Sequence, residues 1–85
     1  MAVTAPEWLT RRSGEIRSAP AEGVWVVYVE HSPLYELTVV PAAGKHSCKV
    51  MQTVNGRRLD RGGVFPTVDD AVRGGLEDLR LALGW

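Results

Sequence analysis

The side chains best suited to covalent chemistry lie close together near the middle of the chain. Cys48 is the single cysteine, and His46 lies two residues before it. A cysteine nucleophile needs a base nearby, and His31 is the only histidine far enough along the chain to be an independent candidate. A lone cysteine in a strand is more often a small buried hydrophobe. We therefore predict that the protein is not an enzyme, with thiol chemistry at Cys48 as the alternative.

The same three residues supply too few ligands for a metal site. Zinc usually takes three or four protein ligands, and the chain has one cysteine and two histidines. The glycine-rich motifs that bind nucleotide phosphates and the nucleophile elbow of hydrolases are also missing from the sequence. We predict no catalytic residue, no metal and no cofactor.

Positive charge is concentrated in one stretch of a chain whose net charge is zero. Residues 44–62 contain a single acid, Asp60, beside five basic residues: Lys45, Lys49, Arg57, Arg58 and Arg61. A basic hairpin can contact phosphates, so nucleic-acid binding through these five residues is the alternative function. Charged residues also protect edge strands against aggregation. A solvated, protected edge is the interpretation that we favour.

The predicted order of a helix, three strands and a helix is similar in topology to the double-stranded-RNA-binding domain. That family places basic residues at the start of the last helix, whereas this chain has Asp69 and Asp70, which repel phosphates. Trp25 and Tyr28 are predicted on opposite faces of one strand, so they form no aromatic platform for bases. These differences favour protein over nucleic acid as the partner.

Two apolar residues near the C-terminus are the predicted contacts for a protein partner. Leu81 lies off the apolar stripe of the last helix, one turn before Trp85. An exposed aromatic side chain often anchors an interface. The alternative is that Trp85 folds back to complete a small core. The sequence therefore predicts a small cytoplasmic, bacterial-type domain that binds protein, with a homodimer as one form of that binding.

Local patterns place the elements that position these residues. Thr4 and Glu7 predict a helix start and Gly14 its end, so residues 1–22 form a helix and a loop. A β-meander is predicted over residues 24–65, with strands at Val24–Glu30, Leu34–Val40 and Ser47–Val54.

Two further signals define the second half of the chain. Asn55-Gly56 predicts a type I′ turn that folds the third strand back on Arg57–Asp60. The apolar stripe that starts at Val68 and ends at Leu83 predicts an amphipathic helix over residues 67–83.

Together these elements predict one domain over residues 1–85. Its fold class is α+β, with an antiparallel meander of three to four strands packed by the C-terminal helix and a short N-terminal helix. Hydrophobic residues make up 45% of the chain and charged residues 24%, which is typical of globular proteins. No apolar run approaches the roughly 18–20 residues of a membrane span, and the N-terminus lacks the order of a signal peptide. We expect a cytoplasmic location and no membrane partner.

Overall fold

The computed structural model describes residues 5–85, which form a five-stranded antiparallel sheet and two helices. The elements are α1 (Glu7–Thr10), β1 (Gly14–Ser18), β2 (Val24–Val29), β3 (Ser32–Ala42), β4 (Lys45–Gln52), β5 (Val64–Phe65) and α2 (Val68–Leu83). Each strand pairs with the next in the chain, so the sheet is a meander. The predicted α+β fold class is confirmed, and the sheet has five strands where three to four were expected.

The core lies between α2 and one face of the sheet. Alternate residues of β2, β3 and β4 point into it, and they meet the apolar stripe of α2. Its fully buried members include Leu9, Val27, Leu37, Val50, Val72 and Leu79. Gly75 sets the spacing of these two layers, because a Cβ atom there would stand 2.5 Å from the Sγ atom of Cys48. A larger residue would push α2 away from β4.

The ends of α2 follow the predicted signals. The Thr67 hydroxyl accepts a hydrogen bond from the Asp70 N–H at 3.1 Å, which satisfies one of the free donors of the first turn. Gly84 ends the helix in the left-handed conformation, with φ of 72°. Neither helix of the described residues is long and apolar enough to cross a membrane.

The N-terminal region differs from the prediction. The helix ends at Thr10, and Gly14, expected to end it, begins β1 instead. Ser13 turns the chain between them, with φ of 57°. Ile16, which lies in the predicted loop, packs against the core from β1. Thr4, the expected cap, lies outside the described residues.

The reversal at Asn55-Gly56 occurs, but its predicted geometry is wrong. A type I′ turn needs positive φ at both central residues, and of this pair only Gly56 has it, at 70°. The Gly56 N–H donates to the Gln52 carbonyl at 2.8 Å, and the Asn55 side chain accepts from the Arg57 N–H at 2.9 Å. The longer loop that results leaves Met51 opposite Arg58 in an isolated bridge.

Two other reversals have the torsions that were expected at Asn55-Gly56. Glu30 and His31 join β2 to β3 with φ of 51° and 69°. Ala43 and Gly44 join β3 to β4 with φ of 49° and 78°. The turn at Glu30 and His31 lets β3 begin at Ser32, two residues before the predicted start of this strand at Leu34. Glutamate, histidine and alanine are unusual at positive φ, which is why the sequence did not indicate their geometry.

Candidate functional site

One face of the sheet lies opposite α2, and no helix formed by residues 5–85 packs on it. We call it the open face. Cross-strand pairing places five residues in one row that crosses β1, β2, β3, β4 and the loop after β4. In that order they are Arg17, Val26, Glu36, Met51 and Arg58. We call this the central row. Basic, apolar and acidic side chains thus alternate across the sheet. A second row contains Val24, Thr38 and Lys49.

Arg17 joins several groups at one end of the central row. Its guanidinium lies 2.9 Å from the Glu15 carboxylate and stacks over the Tyr28 ring, 5.2 Å from the ring centroid. Because Glu15 pairs with Tyr28 across the strands, the three side chains form one compact group. Arginine and aromatic side chains are both enriched in protein interfaces.

The sheet has two edges, and the one beyond β4 is closed by residues 57–65. We call it the β4 edge. The Gln52 N–H donates to the Arg57 carbonyl, and the Leu59 N–H donates to the Val50 carbonyl at 2.8 Å. Ser47 donates through its hydroxyl to the Gly63 carbonyl. The chain that follows β4 therefore satisfies the outward backbone groups of Val50 and Gln52, which β5 is too short to reach.

Asp60 completes the β4 edge with its side chain. Its Oδ1 atom accepts from the Val50 N–H at 3.1 Å, and its carboxylate accepts two hydrogen bonds from Arg58. The bonds from Arg58 and Val50 hold the pKa of Asp60 at about 2, below its ordinary value of 3.8. The same bond to Asp60 raises the pKa of Arg58. The side chain of Asp60 is 5% exposed, so this ion pair is partly structural.

The opposite edge, formed by β1, is open. We call it the β1 edge. The Ser13 carbonyl accepts from the Glu30 N–H, and the Ala19 N–H donates to the Val24 carbonyl. Because inward and outward groups alternate along an antiparallel strand, the N–H and C=O groups of Gly14, Ile16 and Ser18 point away from the sheet.

Within residues 5–85, no backbone hydrogen bond from a turn, loop or cap reaches those outward groups. This edge was not predicted, because Gly14 was interpreted as the end of a helix. The alternation of Glu15, Ile16 and Arg17 after a glycine is the strand signal that could have revealed it.

The five predicted nucleic-acid contacts do not form one patch. Lys45 lies at the start of β4, and Arg57 lies near its other end, after the reversal at Asn55-Gly56. Lys49 lies on the open face opposite Thr38. Arg58 is bound to Asp60. Arg61 donates its backbone N–H to the Asp78 carboxylate, which brings an acidic group beside it.

The two predicted protein contacts lie in different surroundings. Leu81 is 49% exposed and lines a shallow concavity with Leu59 and Arg61. Trp85 is half-buried because Gly84 reverses the chain, and its ring packs edge-on against Trp8 at 6.1 Å. The Arg12 guanidinium stacks over Trp85 at 4.3 Å. The structure therefore does not join Leu81 and Trp85 into one surface.

Cys48 lies in the core under α2, where the residue is 3% exposed. Burial, together with the nearby carboxylates of Asp60 and Asp78, raises the pKa of this thiol to about 12. An activated cysteine nucleophile shows the opposite shift. In the part of the chain that the structure describes, no three side chains of metal-ligating type come together.

Comparison with protein-family models, with curated proteins and with solved structures gave no match for this chain. The open face, the two edges and the buried thiol are therefore the features that bear on function.

Proposed function

We propose that this chain is a non-enzymatic domain that binds protein. The observation that carries the proposal is the open face, whose central row alternates apolar side chains with charges of both signs. Protein interfaces combine aromatic, methionine and arginine side chains with a polar rim. Tyr28, Met51 and Arg17 supply these residue types on one surface.

The charge pattern favours protein over nucleic acid. A phosphate-binding surface gains affinity from basic residues that displace counterions together. On the open face, Glu36 lies at the centre of the row, and Glu15 neutralises Arg17. A partner of mixed charge can complement such a surface, whereas a polyanion meets repulsion at Glu36.

Two further observations support the proposal. The raised pKa of Cys48 keeps its thiol protonated at neutral pH, which disfavours the thiol-enzyme alternative. A single buried thiol also suits the reducing cytoplasm, where we place the protein.

The test compares two lysine substitutions. Met51→Lys adds a charge to the open face beside Glu36, whereas Val54→Lys adds the same charge to the 80% exposed tip of the loop. A protein captured from the source organism's lysate by wild type is purified and titrated against all three forms. We expect Met51→Lys to weaken binding about tenfold or more and Val54→Lys to leave it unchanged. Equal binding by all three forms would contradict the proposal.

The nucleic-acid alternative is tested in parallel by fluorescence anisotropy with labelled DNA and RNA at about 50 and 200 mM salt. Tight binding that collapses at the higher salt, and that Arg57→Glu with Arg58→Glu abolishes, would replace the proposed function. We expect no binding at either salt concentration.

A further inference from the structure

The β1 edge is self-complementary when two copies approach each other in antiparallel orientation. The outward groups belong to Gly14, Ile16 and Ser18, so an added strand must pair with these residues. A two-fold axis at Ile16 places it opposite its own equivalent. The same axis places Gly14 opposite Ser18 of the second copy. Every outward N–H and C=O group of the strand then has a partner.

The charges on the strand select this register. With the axis at Ile16, Glu15 lies directly opposite Arg17 of the second copy, and this happens twice by symmetry. An axis at Glu15 would place two carboxylates opposite each other, and an axis at Arg17 would place two guanidinium groups together. Opposite charges stabilise a cross-strand pair and like charges destabilise it. The only register that overlaps all of β1 is therefore also the one that satisfies its charges.

The flanking chain limits the pairing to β1. Ser13, with φ of 57°, turns the chain away before Gly14, and Pro20, which has no N–H to donate, follows shortly after Ser18. Because residues 57–65 close the β4 edge, residues 5–85 of each copy offer a single open edge, and the assembly stops at two copies.

We infer that two copies of this chain form a homodimer by antiparallel pairing of β1 with β1, which makes one ten-stranded sheet. The inference specifies the self-association within the proposed function and rests on it; the two strands pair through the β1 edge, where Glu15 and Arg17 lie at one end of the open face. Within one copy, Arg17 and Glu15 form a salt bridge of 2.9 Å. Dimerisation brings two such salt bridges together into a cluster of four alternating charges.

The experiment is sedimentation velocity over a range of protein concentrations. As the protein concentration increases, we expect the measured mass of the wild-type protein to rise from 9.3 kDa toward twice that value. Arg17→Glu and Glu15→Arg each place four like charges at the junction, and each should weaken association about tenfold or more. Arg57→Glu makes the same charge change at the exposed hairpin and should associate like wild type.

Two rescue measurements separate charge pairing from loss of folding. The double variant Glu15→Arg with Arg17→Glu restores opposite charges and should dimerise again. A mixture of the two single variants should form a heterodimer, since one copy is acidic and the other basic at both positions. Both side chains are substantially exposed, at 43% for Glu15 and 63% for Arg17, so each variant should keep the wild-type circular dichroism spectrum.

Two outcomes would overturn the inference. One is a wild-type chain that stays monomeric at every concentration. The other is association that none of the charge variants alters, which would place the contact on another surface. The second outcome leaves the proposed function standing, and the Met51→Lys measurement tests that function separately.

Discussion

At the β4 edge, Arg57 and Leu59 bond to outward backbone groups of Gln52 and Val50 that β5 is too short to reach, and Asp60 supplies a carboxylate to the Val50 N–H. At the β1 edge, the corresponding groups of Gly14, Ile16 and Ser18 meet no turn, loop or cap formed by residues 5–85. A sheet edge must have its polar groups satisfied by its own chain, by water or by another molecule. The contrast means that this domain can add a strand on one side only.

The largest expected effect concerns the packing behind the β1 edge. Leu9 is fully buried, and it lies so close to Gly14 that a Cβ atom there would overlap it. Leu9→Ala removes buried methyl groups and leaves a cavity, so we expect a loss of about 3 kcal/mol in the free energy of unfolding, measured by urea denaturation. Leu81→Ala, at a 49% exposed position, should change it by less than about 0.5 kcal/mol. Similar losses in the two variants would mean that Leu9 does not anchor the β1 region.

The second-largest expected loss of stability comes from substitution of Asp60 at the β4 edge. Asp60→Ala leaves the Val50 N–H without its side-chain acceptor and the Arg58 guanidinium without its partner. We expect a loss of about 2 kcal/mol in urea denaturation, because a partly buried charge-assisted network is removed. Arg58→Ala removes an exposed partner and keeps the bond from the Val50 N–H to Asp60, so it should destabilise the chain less than Asp60→Ala does. A larger loss for Arg58→Ala would show that the surface ion pair, not the backbone bond, holds this edge.

Asp60 also makes the β4 edge sensitive to acid. Its pKa of about 2 in the folded chain lies below its ordinary value of 3.8, so folding favours the carboxylate. The stabilisation is therefore complete above about pH 4 and is lost as the pH falls through about 2. Urea denaturation across this range should show the difference between wild type and Asp60→Asn shrinking as the pH falls. A difference that stays constant down to pH 2 would contradict the assignment.

Sequence patterns predicted the parts of the fold that depend on long, regular signals. The stripe from Val68 to Leu83 and the cap at Thr67 defined α2, and the run of β-branched and aromatic residues from Val24 defined β2. The helix signals before Gly14 were genuine but extended over only one turn. Ile16 then lies in β1 and packs against the core, because tertiary packing overrides weak local preference.

The candidate site was less predictable because it depends on strand register. The central row of the open face joins residues from β1, β2, β3 and β4 and from the loop that follows β4, and no local pattern brings Arg17 near Glu36. The basic residues formed one cluster in the sequence, whereas the folded hairpin places Lys45 and Arg57 at its two ends. The sequence allows either an exposed or a packed Trp85. In the fold, the reversal at Gly84 places Trp85 against Trp8.

The smallest perturbation compares the two edges without changing a residue. The Val50 amide is bonded to Asp60, whereas the Ile16 amide points outward from β1. Hydrogen exchange at a concentration where the chain is monomeric should therefore be slow for Val50 and fast for Ile16. At concentrations where the chain dimerises, the Ile16 amide should become protected and the Val50 amide should not change. Protection of Ile16 at every dilution would mean that its own chain covers the β1 edge, and the two edges would then no longer differ.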